Sequence, residues 1–175
     1  MNRKSILNLT YAGVLFALGL VLPFVTGQIP EIGNLLLPMH LPVLLCGFLC
    51  GKIYGCAVGF SLPLVRSLIF GMPVIFPSAV TMAPELMAYG LFTAIFYSFF
   101  KKKTLFSIYA SLIPAMLIGR AVKGVANAIA YGVSDKAYSF GAFISGAFVE
   151  AVPGIILQLI LIPAVLLALK KANLK

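Results

Sequence analysis

Two cations and an amide share one face of an otherwise apolar stretch, MLIGRAVKGVANAIA, at residues 116–130. Arg120, Lys123 and Asn127 are spaced i, i+3 and i+7, so a helix would present them on a single stripe. A charged side chain at the centre of a bilayer costs about 2.5–3.5 kcal/mol, and such residues usually face a polar interior. Arginine suits a bidentate contact with a carboxylate, and lysine adds a compact positive charge. The stripe therefore predicts a binding site for a small anionic molecule.

Other predicted helices bring ionisable side chains to a similar depth. Counted at about 1.5 Å per residue, each lies in the outer half of the membrane or near its middle. These side chains are Arg66, which is a third cation, Glu150, and a polar stripe of Thr81, Glu85 and Tyr89. Three cations against two acids leave one positive charge for a ligand carboxylate or phosphate. The alternative is that these groups only form internal ion pairs.

His40, in LLLPMHLPV, is the one histidine of the chain. Its predicted position near the outer membrane surface favours a structural, interfacial role. A contact with the ligand at the mouth of the pocket is the functional alternative, so His40 joins the candidate ligand-binding residues.

The composition establishes which class of protein must position these residues. Of the 175 residues, 62% are hydrophobic and only 10% are charged, whereas ordinary globular domains are about 45–50% apolar and about 25% charged. The chain is therefore predicted to be an all-α integral membrane protein, a single transmembrane domain over residues 1–175. Its apolar N-terminal run is too long for a signal peptide and is interpreted as a retained first helix.

Six transmembrane helices are predicted from the apolar runs. Their approximate bounds are 5–27, 35–51, 53–70, 79–100, 104–132 and 140–169. Both termini are predicted to be cytoplasmic, because the net charge of +9 concentrates in the segments that would then lie inside. Those basic residues are Arg3, Lys4, Lys52, Lys101, Lys102, Lys103, Lys170, Lys171 and Lys175. The basic excess thus indicates membrane topology, and no nucleic-acid partner is expected.

Several kinds of chemistry lack the residues they need. The sequence has no G-x-x-x-x-G-K-[ST] phosphate loop, so the chain is not expected to hydrolyse ATP itself. One histidine and two buried acids on separate helices do not make a metal-hydrolase site. Cys46, Cys50 and Cys56 are interpreted as buried, inert thiols. We therefore predict no catalytic residue, no metal and no cofactor in this chain.

Small residues at four-residue spacing indicate close helix contacts in lipid. The run Gly47, Gly51, Gly55 and Gly59 is interpreted as internal packing. Gly13 and Ala17, in the first predicted helix, are interpreted as an outward face that docks another protein.

The whole chain resembles the substrate-binding S components of energy-coupling factor (ECF) transporters. The resemblance is carried by the six short spans and by LLLPMHLPVLLCGFLCGKIYG, GFSLPLVRSLIFGMP and PSAVTMAPELMAYGL. These segments are most similar to pantothenate-type members and to those common in anaerobic Firmicutes. One departure concerns the first helix, where the family has an Ala-xxx-Ala docking motif. Here position 12 is Ala but position 16 is Phe, and Gly13 and Ala17 supply the spacing one residue later.

The resemblance implies the mechanism. An S component of the plasma membrane captures a vitamin from outside and docks on a membrane coupling subunit that binds two cytoplasmic ATPases. It then topples to deliver the vitamin, and the partner ATPases use ATP to reset it.

Pantothenate is the preferred vitamin, because it is a small polar carboxylate that matches the surplus cation. Pyridoxine, hydroxymethylpyrimidine, niacin and a queuosine precursor remain alternatives. Two other classes stay open: a stand-alone small-molecule transporter or channel, and a lipid-modifying membrane enzyme.

Overall fold

The computed structural model describes residues 3–25, 35–133, 141 and 151–172. The described part is helical, and its principal helices, in chain order, are α1 (Arg3–Val25), α2 (His40–Cys50), α3 (Lys52–Phe70), α4 (Val80–Phe99), α5 (Leu105–Val133) and α6 (Val152–Lys171). A π-helical turn, Ile75–Ala79, leads directly into α4. Within the described residues, five helices are long and apolar enough to cross a membrane, namely all but α2. The described part of the chain is thus all-helical and contains several candidate membrane spans.

Helix α2 is shorter than the predicted span over 35–51. It covers 11 residues, or about 16 Å, against a hydrocarbon core of about 30 Å. Leu37 adopts a positive φ of 50°, and a turn over Pro38 and Met39 precedes the helix. Proline lacks a backbone N–H and disfavours a helical residue before it, which explains the late start. The six-span count and the cytoplasmic termini remain predictions.

Helix α4 lies at the centre of the described bundle. It packs against α2, α3 and α5, while α1 packs on α2 and α3, and α6 packs on α2 and α5. The apolar core gathers side chains from all six helices, among them Leu15, Leu44, Leu62, Leu86, Leu112 and Ile162. Any polar residue on the inward faces of α4 and α5 is therefore enclosed by apolar packing, and this is where the sequence places its buried charges.

Glycine allows α3 and α4 to approach until their backbones touch. A Cβ atom added at Gly90 would lie 2.1 Å from the Gly55 carbonyl oxygen, and one at Gly59 would lie 2.3 Å from the Leu86 oxygen. Gly47 of α2 meets the Gly90 carbonyl in the same way. The interpretation of the glycine run as internal packing is confirmed for Gly47, Gly55 and Gly59. Gly51, with a φ of 90°, instead connects α2 to α3.

Candidate functional site

Helix α4 supplies the anionic centre of the candidate site. Thr81, Glu85 and Tyr89 follow one another at four-residue spacing and are 3%, 0% and 0% exposed. The predicted polar stripe is therefore confirmed as an inward-facing one. The Tyr89 hydroxyl donates a hydrogen bond to Glu85 Oε1 at 3.2 Å, which fixes the position of the carboxylate.

Three basic side chains from two other helices converge on this carboxylate. Lys123 Nζ lies 3.1 Å from Glu85 Oε2, and Arg120 NH1 lies 3.8 Å from Oε1. His40 Nε2, at the first residue of α2, lies 3.4 Å from Oε1. The predicted convergence of the α4 and α5 stripes is thus present in the structure, with His40 added. We call Glu85, Tyr89, His40, Arg120 and Lys123 the Glu85 cluster.

Arg120 is the least satisfied member of the Glu85 cluster. Its side chain is 2% exposed, and none of its three guanidinium nitrogens has a hydrogen-bond partner among the described residues. The 3.8 Å approach to Glu85 is an ion pair without a hydrogen bond. Buried polar groups are nearly always hydrogen-bonded in folded proteins. A guanidinium in this state has its full donor capacity available to an acceptor that is not part of the described chain.

The cluster carries an excess of basic groups within the described residues, because Arg120 and Lys123 share a single carboxylate. Lys123 is 21% exposed, whereas Arg120, Glu85 and His40 are 2% exposed or less. The Lys123 side is therefore the least enclosed side of the cluster. Inside a protein the effective dielectric is low, so an unneutralised charge attracts an anion more strongly than it would at the surface.

His40 lies deeper than its sequence position suggests. The sequence favours an interfacial structural role, whereas the structure buries the side chain to 1% exposure beside Glu85. Its ring also contacts Tyr89, with the centroids 5.3 Å apart. The turn after Leu37 directs the start of α2 inward, and His40 is consequently part of the cluster.

Arg66 is buried elsewhere. Its NH1 donates a hydrogen bond to the Leu20 carbonyl of α1, and its guanidinium lies 5.0 Å from the Phe24 ring centroid and 5.2 Å from that of Phe70. Among the described ion pairs of Glu85, Arg66 does not occur. The prediction that places Arg66 in the same polar pocket therefore finds no contact in the structure, which instead gives it a role in joining α1 to α3.

Of the two remaining predicted ligand-binding residues, Asn127 and Glu150, only Asn127 lies within the described residues. Asn127 is half-buried on α5, one turn beyond Lys123. Glu150 lies outside the described residues, so its predicted pairing with the cations stays a prediction.

A cavity of about 320 Å³ lies beside the Glu85 cluster. It is lined by Phe76, Val80, Thr81, Pro84, Ala126, Ile129 and Ala130. Thr81 is one turn from Glu85 along α4, and Ala126 is one turn from Lys123 along α5. The cavity therefore lies one turn from the cluster along both helices, without any of the five cluster residues in its lining. Its size falls within the range of small-molecule sites.

The three cysteines do not belong to a metal-binding cluster of the described residues. Cys46 and Cys50 are buried in α2, and Cys56 is half-buried in α3. Within the described ranges, no group of three or more His, Cys, Asp or Glu side chains is close enough to hold a metal ion.

Among the buried polar residues that sequence reasoning missed, Gln158 in α6 has the largest side chain. Its side chain is 0% exposed, yet it carries no charge and so drew no attention beside Arg120 and Glu85. The available signal was its isolation, since IILQLILIP is otherwise apolar.

Comparison with known proteins gives one match. A family model described as ECF transporter, substrate-specific component, covers residues 7–166, nearly the whole chain. No curated protein and no solved structure matches this sequence.

Proposed function

Because the chain belongs to the substrate-specific components of ECF transporters, we propose that it captures a small, water-soluble vitamin carrying a carboxylate, with pantothenate as the first candidate. The family implies a small-molecule substrate and a partner module made of a coupling subunit and ATPases. In this proposal the chain binds the vitamin from outside the cell at the plasma membrane. It then docks on the coupling subunit and topples to release the vitamin inside.

The observation that carries the proposal is the buried guanidinium of Arg120, whose three nitrogens have no hydrogen-bond partner among the described residues. It lies beside Lys123 with only Glu85 to offset both charges in the described part of the chain. Removing one partner from a buried charge pair is strongly destabilising, and a surplus buried cation has the same need for an anion. A ligand carboxylate on Arg120 would supply that anion through two parallel hydrogen bonds.

The neighbouring cavity supports a ligand larger than a simple ion. Its walls are mainly apolar, with Thr81 as a polar contributor. A carboxylate on Arg120 and Lys123 leaves the remainder of the molecule to lie toward Asn127 and this cavity. Small-molecule sites commonly combine apolar walls with a few well-placed polar groups.

Pantothenate fits a site that combines basic side chains with an apolar cavity. Its carboxylate terminates a chain that also carries hydroxyl groups, an amide and methyl groups. Niacin also has a carboxylate but is smaller and flat. Pyridoxine, hydroxymethylpyrimidine and a queuosine precursor lack a carboxylate and would leave Arg120 without its anion. They are the alternatives if the site reads a neutral ligand.

The test compares pantothenate with panthenol, its alcohol analogue, by isothermal titration against the purified protein. The wild type is expected to prefer the acid strongly. Arg120→Ala or Lys123→Ala should weaken pantothenate binding by at least about thirtyfold, since truncating one partner of a desolvated charge pair costs about 2–5 kcal/mol and about 1.4 kcal/mol corresponds to tenfold. The preference for acid over alcohol should shrink in both variants.

Arg66→Ala is the matched control, because it removes another buried arginine that does not contact Glu85. It should leave the ratio of acid to alcohol affinities unchanged. Equal binding of acid and alcohol by the wild type would show that the site does not read a carboxylate, and pyridoxine would then be the next ligand to test.

A further inference from the structure

Gln158 is the only polar side chain of α6 before the two lysines at the end of the helix. The helix is the most apolar of the candidate membrane spans, and Gln158 is 0% exposed. A primary amide carries two N–H donors and a carbonyl acceptor. The placement of an amide in the most apolar of the candidate spans requires a physical reason.

Neither polar atom of Gln158 has a hydrogen-bond partner within the described ranges. Both Nε2 and Oε1 are buried without one. Leaving a buried donor or acceptor unsatisfied is unfavourable, whereas an apolar side chain of the same shape has no such penalty. A methionine or leucine would therefore be the better residue here if the position served packing alone.

One contact and one shared cavity indicate the depth of Gln158 relative to α2. A Cβ atom added at Gly154 would meet the backbone of Leu35 and Leu36. Twelve residues further along both segments, Leu166 lines a cavity together with Phe48. The two segments thus run side by side in the same direction, and interpolation places Gln158 at the level of His40.

A second pairing fixes its depth relative to α5, which runs the opposite way. Ile108 and Leu166 line the same cavity. Counted from that cavity along the two antiparallel helices, Gln158 would be level with Met116, but the hydrogen bond from the Tyr109 hydroxyl to the Leu159 carbonyl, at 3.2 Å, places it closer to Tyr109. Gln158 therefore lies at least one turn before Arg120 along α5. Long helical side chains lean toward the N-terminus of their helix, so the Arg120 guanidinium reaches back toward this level.

The packing of α6 gives the direction of the amide. Among the described helices, α6 packs principally on α2 and α5, and Gln158 is fully enclosed. The described neighbours of α6 are therefore the two helices that carry His40 and Arg120. Two buried side chains with unused hydrogen-bonding capacity, one cationic and one neutral, thus lie on neighbouring helices, with their levels at least one turn of α5 apart.

We propose that Gln158 is a specificity residue of the ligand site, whose amide binds a neutral hydroxyl or amide group of the molecule that places its anionic group on Arg120 and Lys123. The inference rests on the proposed function and narrows the substrate class. The ligand must carry an anion and a separate neutral group that both donates and accepts hydrogen bonds. An inorganic anion or a simple fatty acid does not meet this requirement.

Gln158→Met tests the proposal, because methionine keeps the length of the side chain and removes the amide. The melting temperature of the ligand-free variant should be no lower than that of the wild type, since no hydrogen bond within the protein is lost. Its affinity for both pantothenate and panthenol should fall by about tenfold or more. The acid-to-alcohol ratio should be retained, in contrast to the effect of Arg120→Ala.

Ile162→Met is the matched control. Ile162 is 0% exposed one turn further along the same helix, so this change introduces a methionine into the same packing without removing a polar group. It should leave both affinities close to those of the wild type.

Three results would contradict the proposal or its premise. A clear fall in the melting temperature of ligand-free Gln158→Met would show that the amide serves the fold. Equal affinities for wild type and Gln158→Met would overturn the role of Gln158 while leaving the proposed function intact. If the wild type binds neither compound, the same variants are measured with whichever of niacin, pyridoxine and hydroxymethylpyrimidine raises its melting temperature. Binding of none of them would overturn the proposed function, and the role of Gln158 with it.

Discussion

At the scale of single residues, one carboxylate organises the candidate site. Glu85 accepts from Tyr89 on its own helix and is approached by His40, Arg120 and Lys123 from two others. Its side chain is fully buried. Charges removed from water are retained only where partners compensate for the lost hydration. Glu85 is therefore what makes the buried Arg120 and the half-buried Lys123 tolerable in the ligand-free protein.

Glu85→Gln should consequently destabilise the ligand-free protein. The variant leaves Arg120 and Lys123 facing each other without an anion, and breaking a buried pair in this way costs about 3–5 kcal/mol. The melting temperature in detergent should fall by several degrees. Pantothenate should then raise it by more than it does in the wild type, because the ligand becomes the only anion at the cluster in the described part of the chain.

The double variant Glu85→Gln/Arg120→Met provides the control. It removes one charge of each sign and should recover most of the lost stability, as expected for neighbouring groups that do not act additively. A wild-type melting temperature for Glu85→Gln alone would show that the carboxylate does not hold the cluster together.

The sequence allowed the α4 and α5 parts of this site to be predicted, because helical periodicity places Glu85 and Tyr89 on one face and Arg120 and Lys123 on another. The inward position of His40 depends on the turn after Leu37, which no periodicity reveals. The location of Arg66 depends on rings from two separate helices, and spacing along α3 alone could not show it.

At the scale of elements, α3 and α4 form the tightest contact described. Gly55 and Gly90 touch backbone to backbone, and Gly59 lies against the Leu86 carbonyl. In lipid, where apolar side chains gain little by meeting each other, such close contact is a main source of helix association. This contact sets the position of α4 and hence of Glu85.

Gly90→Ala should therefore disrupt the bundle. The added Cβ would lie 2.1 Å from the Gly55 carbonyl oxygen, and backbone cannot yield as a flexible side chain can. Overpacking of this kind costs about 1–3 kcal/mol or more. We expect a lower yield of monodisperse protein on size-exclusion chromatography and a reduced melting temperature.

The same substitution at Gly132 is the control, because a Cβ atom there meets nothing within 4 Å. Gly132→Ala should behave like the wild type or be slightly more stable, since alanine favours helix. Identical melting temperatures for the two variants would contradict the contact between α3 and α4.

The helices themselves followed closely from the apolar runs, with most described bounds within one or two residues of the predicted ones. The exceptions are the starts of two helices. Pro38 delays the start of α2. Helix α6 begins at Val152, whereas the predicted span begins at 140, and only 141 and 151 of the residues between them are described. Apolar length predicts a span, but it does not reveal how the chain enters one.

At the scale of the whole molecule, α1 has two different faces. Ala12, Leu15 and Gly19 are buried against the bundle, and a Cβ atom at Gly19 would clash with Leu62. Gly13 and Ala17 are exposed. The family's Ala-xxx-Ala positions, 12 and 16, thus fall on a face that is buried or half-buried here. The small residues one position later face outward, where a partner could approach.

Gly13→Leu should prevent assembly with the coupling subunit while leaving vitamin binding intact, because close backbone approach in lipid excludes a bulky side chain. The isolated wild-type chain in liposomes should bind pantothenate without concentrating it. Co-reconstitution with the coupling subunit and ATPases should give ATP-dependent accumulation, and Gly13→Leu should abolish it. Co-purification and radiolabelled uptake are the measurements.

Gly132→Leu again serves as the control, since it places the same bulky residue at another unobstructed glycine. Normal co-purification and uptake by Gly13→Leu would show that this face of α1 is not the docking surface. Accumulation by the isolated chain under a proton gradient alone would instead favour a stand-alone transporter.

The link between Glu85 and the two α5 cations also bears on how the chain enters the membrane during synthesis. Helix α5 alone would present Arg120 and Lys123 to lipid without an anion, at a cost of about 2.5–3.5 kcal/mol each. Helix α4 is made first and is joined to α5 by a connection of only five residues, 100–104. Glu85 is thus already available when Arg120 and Lys123 emerge. The two helices are suited to leave the translocon together as a paired hairpin. In that hairpin Glu85 pairs with Arg120 and Lys123 before any ligand binds.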